Sequence, residues 1–129
     1  MVWNGGLTKR KKTGGKRKVY RNKKRNEAGR YPTETLLGET KYKVELGRSK
    51  IESKKLMSTN EVNVSDPSTG KTEKLKIIAV VKNPANVDYN RRGVITKGAI
   101  IRTEKGMAKV VSSPGQDGVL NAIIHTEET

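Results

Sequence analysis

Positive charge is concentrated at one end of this chain, and this asymmetry limits what its first thirty residues can fold into. They contain 12 Lys or Arg side chains and one acid, so about +11 of the formal net charge of +15 lies there. Like charges with almost no large aliphatic residues between them cannot bury enough apolar surface to offset the entropy lost on ordering. We therefore predict that residues 1–31 form a basic extension, disordered when free, that binds a polyanion.

The basic residues of this extension are candidate contacts with nucleic-acid phosphates, because each neutralised phosphate releases condensed counterions. Two adjacent glycines allow the backbone to turn tightly against a nucleic-acid surface. In the sequence, Trp3 and Tyr20 lie among the lysines and arginines. The sequence leaves open whether their rings stack on unpaired nucleobases or pack on the body. The candidate set in the extension is Lys9, Arg10, Lys11, Lys12, Gly14, Gly15, Lys16, Arg17, Lys18, Arg21, Lys23, Lys24 and Arg25.

Composition argues against several other classes of protein. The chain has no cysteine, which excludes disulfides and thiolate metal sites and suits a reducing intracellular compartment. Its longest apolar run, Ile77 to Val81, has five residues. A membrane helix needs about twenty, and the N-terminus lacks the apolar stretch of a signal peptide. We expect a soluble, cytoplasmic protein without membrane contact.

Past Pro32, short apolar alternations broken by Gly, Pro, Asn and Asp are typical of strands and turns. In the first of these strands, Tyr42, Val44 and Leu46 alternate with polar residues, so it is predicted to be half-buried. The clearest hairpin turns through residues 66–70, and residues 83–93 are predicted to be a long polar loop. Strands are predicted at residues 42–46, 51–57, 61–64, 74–82, 94–103, 107–112 and 119–125.

Six or seven short strands without a crossover helix favour an all-β fold, namely a small antiparallel β-barrel of about six strands with a long basic N-terminal extension. Closure would also protect the strand edges from pairing with other chains. We assign the barrel body to residues 32–125 and a frayed acidic tail to residues 126–129.

No residue pattern predicts catalysis, a metal site or a cofactor. Gly70-Lys71-Thr72 resembles the end of a phosphate-binding loop, but Ser65 occupies the position of its earlier glycine, and a strand follows where a helix is required. His125 is the only histidine, and no second imidazole or thiol is available to complete a zinc site. We therefore predict a protein that is not an enzyme and has no small-molecule substrate.

The polar loop at residues 83–93 is a second candidate contact with nucleic acid. It combines amides with Tyr89 and the paired guanidinium groups of Arg91 and Arg92. The ring and the guanidinium groups can stack on nucleobases, and a guanidinium group can also bind a phosphate through two of its nitrogens. Lys97 extends the same candidate surface. Basic charge alone fits RNA and DNA equally, so a DNA-bound architectural protein of the chromatin type stays open as an alternative.

Several segments stand in a characteristic order and spacing along the chain. They are Thr13-Gly14-Gly15-Lys16, Asn83-Pro84-Ala85-Asn86, Tyr89 with Arg91-Arg92, Ile95-Thr96-Lys97-Gly98-Ala99-Ile100-Ile101, and Pro114-Gly115-Gln116-Asp117-Gly118 with Asn121-Ala122. Together they closely resemble, in order and at matching spacing, the small-subunit ribosomal protein S8e family of archaea and eukaryotes. The resemblance runs from the first residues to about Ile124, and the compact length is similar to that of archaeal members.

The resemblance implies a structural constituent of the small ribosomal subunit that supports subunit assembly and translation. It further implies a β-barrel body on the subunit surface and a basic extension threaded into ribosomal RNA. The implied partners are small-subunit ribosomal RNA and neighbouring small-subunit proteins, in the cytoplasmic ribosome.

Overall fold

The computed structural model describes residues 9–27, 29–47 and 50–125. Trp3 and the predicted acidic tail therefore lie outside the described residues. Contacts divide the chain into two compact units, Met1–Pro32 and Thr33–Thr129. In chain order, the elements described in the second unit are β1 (Leu36–Leu37), β2 (Lys41–Leu46), β3 (Glu52–Thr59), β4 (Glu61–Ser65), β5 (Thr72–Lys82), α1 (Val87–Arg92), β6 (Ile100–Thr103), β7 (Gly106–Val110), α2 (Pro114–Asp117) and β8 (Asn121–Ile124).

Strands β4 to β8 form a closed barrel, which confirms the predicted all-β class and barrel. The barrel has five strands where about six were predicted, and neighbours in sequence pair antiparallel. Its closing pair, β4 with β8, is parallel, with Asn63 opposite Asn121 and Ser65 opposite Ile123. With five strands that alternate in direction, the first and the last run the same way, so closure can only be parallel.

The barrel interior is filled by small aliphatic side chains. Strand alternation sends Val62 and Val64 of β4 inward, and Ala108 and Val110 of β7 likewise, with each of the four at most 3% exposed. Leu56 of β3 packs against this same core. The chain has no Phe, so the core is built from Val, Ile, Leu and Ala.

A second sheet, in the order β1-β3-β2, lies outside the barrel. Strand β2 was predicted, but its burial is the opposite of the prediction: Tyr42 is 53% and Leu46 63% exposed, whereas Glu45 is 7% exposed. The reason is that β2 is the edge strand of this sheet and not part of the barrel wall. The Glu45 carboxylate instead lies 2.9 Å from Lys43 Nζ and 2.6 Å from Lys55 Nζ.

The segment predicted as a polar loop, residues 83–93, contains helix α1. The Asn86 side chain caps its first turn by accepting a hydrogen bond from the Asp88 N–H at 2.9 Å. Gly93 ends the helix in the left-handed conformation, with φ of 65°, and its N–H donates to carbonyls of the last turn. The prediction of a plain loop was wrong because it ignored this pair of local end signals.

The strand predicted at residues 94–103 begins only at Ile100. Val94 and Ile95 are fully buried, yet they precede a turn and are not paired with β5. The Ile95 N–H donates instead to the Thr35 carbonyl at 2.8 Å. Burial alone therefore produced an apolar pattern that resembles a strand.

Two glycines in the same backbone conformation provide a test of packing at α2. Gly118 has a φ of 71°, and a Cβ there would lie 2.8 Å from the Lys54 carbonyl oxygen, whereas Gly70, with a φ of 67°, has nothing within 4 Å of that position. We expect Gly70→Ala to cost about 1–2 kcal/mol for the left-handed conformation. Gly118→Ala should cost about 1–3 kcal/mol more, because the backbone must shift. Urea unfolding measures both, and equal destabilisation would contradict the close contact.

Candidate nucleic-acid interface

The first basic cluster of the extension is folded into a small loop at residues 11–15. The Gly14 N–H donates to the Lys11 carbonyl and the Lys11 N–H donates to the Gly15 carbonyl, both at 3.0 Å. Arg10 closes the loop from outside by donating to the Gly14 carbonyl at 2.9 Å. Gly14 has a φ of 81°, so glycine is required at this position for the turn.

The second basic cluster is organised by an ion pair between Arg21 and Glu27, which we call the Arg21–Glu27 pair. The two guanidinium Nη atoms each lie 2.6 Å from one carboxylate oxygen. The same carboxylate accepts the Lys24 backbone N–H at 3.0 Å. The guanidinium also lies 5.3 Å from the ring centroid of Tyr20. Chain segment 20–27 is thereby closed on itself, with a short 3₁₀ turn at Arg25–Glu27.

These contacts shift the titration of the pair. Hydrogen bonds from the Arg21 side chain, and then from the Lys24 N–H, lower the pKa of Glu27 to about 2. The hydrogen bond to Glu27 raises the pKa of Arg21 in turn. At neutral pH both groups are therefore ionised, and the Arg21 guanidinium is engaged by an acid.

The other predicted contacts in the extension are exposed to solvent. Four of them, Arg10, Lys11, Gly14 and Gly15, make the hydrogen bonds of the loop at residues 11–15 described above. The exposed set is Lys9, Arg10, Lys11, Lys12, Gly14, Gly15, Lys16, Arg17, Lys18, Lys23, Lys24 and Arg25.

In the body, the two predicted arginines of α1 differ in their surroundings. Arg92 binds Glu34 with both Nη atoms, at 2.6 and 2.8 Å, and its Nε lies 3.1 Å from Asp88. Its guanidinium is 5.5 Å from the Tyr89 ring centroid. Arg91 contacts Asp88 at 2.9 Å, and its side chain is 81% exposed. Arg91 is thus available to a ligand, whereas Arg92 joins α1 to the segment that contains Glu34.

A buried amide, that of Asn83, fixes the segment around α1. Its Oδ1 accepts from the Ala85 N–H and from the Thr96 hydroxyl, each at 3.0 Å, and its Nδ2 donates to the Val94 carbonyl at 2.7 Å. Its own N–H donates to Asn90 Oδ1 at 2.9 Å. Because Thr96 immediately precedes Lys97, this network connects α1 to the turn that carries Lys97.

That turn is fixed at both ends. The Ala99 N–H donates to the Thr96 carbonyl, and Gly98, with a φ of 87°, occupies the turn position that requires glycine. The Gly98 N–H donates to the Val110 carbonyl at 2.8 Å. Lys97 is therefore held, exposed, beside the end of β7.

Strand pairing brings two further lysines to this end of the barrel, and sequence reasoning missed both. Ile100 is the register partner of Lys82 on one side and of Lys109 on the other. Direct cross-strand partners point to the same face of a sheet, so both lysines lie on the outer face of the barrel. Together with Lys97 they form what we call the barrel-end lysines. Only the register, which the sequence does not display, places them together.

Two acids of the interface were also missed. Glu27 carried a local signal, because it is the single acid among the first thirty residues. Glu34 carried none, because its partner Arg92 is 58 positions away in sequence. The hydrogen bonds from Arg92 lower the pKa of Glu34.

The described part of the chain contains neither a cluster of metal-ligating side chains nor a helix that could span a membrane. Within residues 9–27, 29–47 and 50–125, no group of three or more His, Cys, Asp or Glu side chains is placed to hold a metal ion. None of the helices in these ranges has the length and apolar character needed to cross a membrane. Gly70-Lys71-Thr72 lies at the β4–β5 hairpin, where the Asp66 carboxylate accepts hydrogen bonds from Ser68 and Thr69.

The Arg21–Glu27 pair predicts a specific titration. A carboxyl group with a depressed pKa contributes stability to its folded segment above its unfolded pKa, and that contribution is lost as the pH falls through about 2. A pH titration of the side-chain carboxyl carbon by NMR should give Glu27 a titration midpoint near pH 2. In Arg21→Gln, the midpoint should rise toward the ordinary glutamate value of 4.5. A Glu27 midpoint that is identical in the two proteins would exclude the pair in solution.

Comparison with known proteins gives a family match along almost the whole chain. The family model described as Ribosomal protein S8e matches residues 4–125. Relatives named small ribosomal subunit protein eS8 share this similarity. The protein from Methanocorpusculum labreanum is 47% identical over 127 residues, covering 96% of this chain and 98% of its own.

Two further relatives carry the same name. The protein from Methanococcus aeolicus is 47% identical over 127 residues, with 98% of both chains covered. The protein from Staphylothermus marinus is 44% identical over 128 residues, with 96% of this chain and 98% of its own covered. All three relatives are archaeal and nearly equal to this chain in extent.

Proposed function

This chain belongs to the ribosomal protein S8e family, and from that premise we propose that residues 9–27 anchor it in the small ribosomal subunit by binding ribosomal RNA. Members of the family are structural, non-enzymatic components of the small subunit, associated with ribosomal RNA and other ribosomal proteins. The protein accordingly acts in the cytoplasmic ribosome. The alternative of a DNA-bound architectural protein has no support from the relatives.

The observation that carries the proposal is the exposure of the lysine and arginine side chains in the extension. Nine lysines and arginines there, outside the two arginines in local contacts, are exposed to solvent, and the segment contains one acid. RNA presents a dense array of phosphates, and releasing its counterions favours binding to such a segment. The proposed phosphate contacts in the extension are Lys9, Arg10, Lys11, Lys12, Lys16, Arg17, Lys18, Arg21, Lys23, Lys24 and Arg25, with Gly14 and Gly15 as points of close approach.

The body contributes a smaller contact surface in this proposal. Arg91 and Lys97 are exposed and are held by α1 and by a fixed turn, so they lose little freedom on binding. Arg92, which binds Glu34 through both Nη atoms, contributes by positioning α1 as well as by its charge. Lys82 and Lys109 extend the surface along the barrel end. In this proposal the body supplies a few fixed contacts, and the extension supplies most of the charge.

Replacing Lys23, Lys24 and Arg25 together with Ala should weaken binding to small-subunit ribosomal RNA. It should also reduce the salt dependence of binding, because fewer counterions are released. The slope of log K against log salt should fall by up to roughly 0.7 for each phosphate interaction removed, if the single-strand value applies. Filter binding or fluorescence anisotropy across a series of salt concentrations measures both quantities.

A matched control removes the same charge from the body. Lys41, Lys71 and Lys76 are exposed and lie outside the proposed surface, so their joint replacement with Ala should leave the slope nearly unchanged. If the two triple variants reduce affinity and slope equally, binding depends on net charge alone and the proposed contacts are wrong.

Association with the subunit itself is tested by co-sedimentation with ribosomal particles of the host on a sucrose gradient. We expect about one copy per small subunit, retained after a moderate-salt wash because many phosphate contacts must break together. A variant lacking residues 1–31 should dissociate at lower salt. Recovery of the intact protein at the top of the gradient, or with chromosomal DNA, would refute the proposed function.

A further inference from the structure

An acid inside an RNA-binding polycation is unfavourable unless it does something that outweighs its repulsion of phosphate. Glu27 is the single acid among the first thirty residues. We propose that Glu27 is a positioning residue that folds residues 20–27 into a preformed binding turn for an unpaired nucleotide, so that RNA affinity depends on this negative charge. The inference rests on the proposed function, because it concerns how the same extension binds RNA.

The geometry gives Glu27 more than one role in the turn. Its two carboxylate oxygens bind both Nη atoms of Arg21, six residues earlier, at 2.6 Å. One of them also accepts the Lys24 N–H at 3.0 Å, while the Glu27 N–H donates to the Lys24 carbonyl at 3.0 Å. One side chain therefore closes the segment and defines the backbone of its last turn.

The closed segment presents two kinds of group to a ligand. Lys23, Lys24 and Arg25 lie between the two ends of the pair and are exposed. Tyr20 precedes them by three residues in sequence, with the Arg21 guanidinium near its ring and 79% of the residue still exposed. An exposed aromatic ring beside several cations suits a nucleotide that stacks its base on the ring and places its phosphates against the cations.

Two effects of Glu27 on RNA affinity oppose each other. Its charge repels phosphate, but the pair is exposed and salt screens that repulsion. Within an extension that composition predicts to be disordered when free, its hydrogen bonds fix this one turn before RNA arrives, so that less conformational entropy is lost on binding. The second effect also orients Arg21 and the Tyr20 ring. We infer that ordering outweighs repulsion, which reverses the effect expected from charge alone.

The sign of the effect makes a decisive test with two variants that change charge identically. Glu27→Gln and Glu39→Gln each remove one negative charge, and Glu39 is an exposed residue of the body. Binding of the full-length variants to in vitro transcribed small-subunit ribosomal RNA is measured by filter binding at fixed salt. We expect Glu39→Gln to bind as tightly as the unmodified protein or slightly more tightly. Glu27→Gln should bind about three- to tenfold more weakly, as expected when a charge-assisted, bidentate interaction is removed. Circular dichroism checks that the body remains folded in both.

A second measurement separates positioning from simple charge. Arg21→Gln removes the partner, so adding Glu27→Gln to it should cost much less than it does in the unmodified protein. Equal or tighter binding by Glu27→Gln, or full additivity of the two changes, would overturn the inference. If the unmodified protein does not bind the ribosomal RNA at all, the proposed function fails first, so the two failures are distinguishable.

Discussion

The parallel pairing of β4 with β8 is the constraint on which the rest of the body depends. It consists of three register pairs, from Asn63–Asn121 to Ser65–Ile123, with an amide hydrogen bond of 3.0 Å between the two asparagines. Closure gives every barrel strand two neighbours and encloses a core of small side chains that an open sheet would expose. The Lys97 turn is hydrogen-bonded to Val110 of β7, and α1 is hydrogen-bonded through Asn90 to Asn83, the residue that follows β5, so both are attached to the closed barrel.

Some of the charged side chains are held in place by ion pairs and not by the barrel core. Most lysines and arginines of the extension are exposed. At two points in the chain, however, a glutamate binds both Nη atoms of an arginine: Glu27 binds Arg21 in the extension, and Glu34 binds Arg92 in the body. In each case the arginine also lies against a tyrosine ring. Exposed ion pairs add little to stability by themselves. Their value here is geometric, because the first pair closes residues 20–27 and the second joins α1 to the segment that contains Glu34.

Local sequence signals predicted much of the fold, and long-range pairing accounts for what they missed. Alternating apolar residues and the turn at Asp66–Gly70 were sufficient for the β4–β5 hairpin and for the barrel class. The helix in residues 83–93 had local end signals, at Asn86 and Gly93, which an interpretation based on polarity overlooked. The burial of Glu45, by contrast, depends on which sheet β2 joins, and no local pattern contains that information.

The interface shows the same division. Charge density made the extension recognisable from the sequence alone, and its individual phosphate contacts remain predictions. Lys82 and Lys109 are distant in sequence, and they lie on the same face of the barrel because each is a register partner of Ile100. A basic residue on a closed barrel keeps its position relative to its neighbours, whereas one in the extension keeps it only where local hydrogen bonds fix the backbone. If the chain binds RNA as we propose, its specific placement depends on both the closed barrel and local turns such as that of residues 20–27, because charge alone supplies affinity without register.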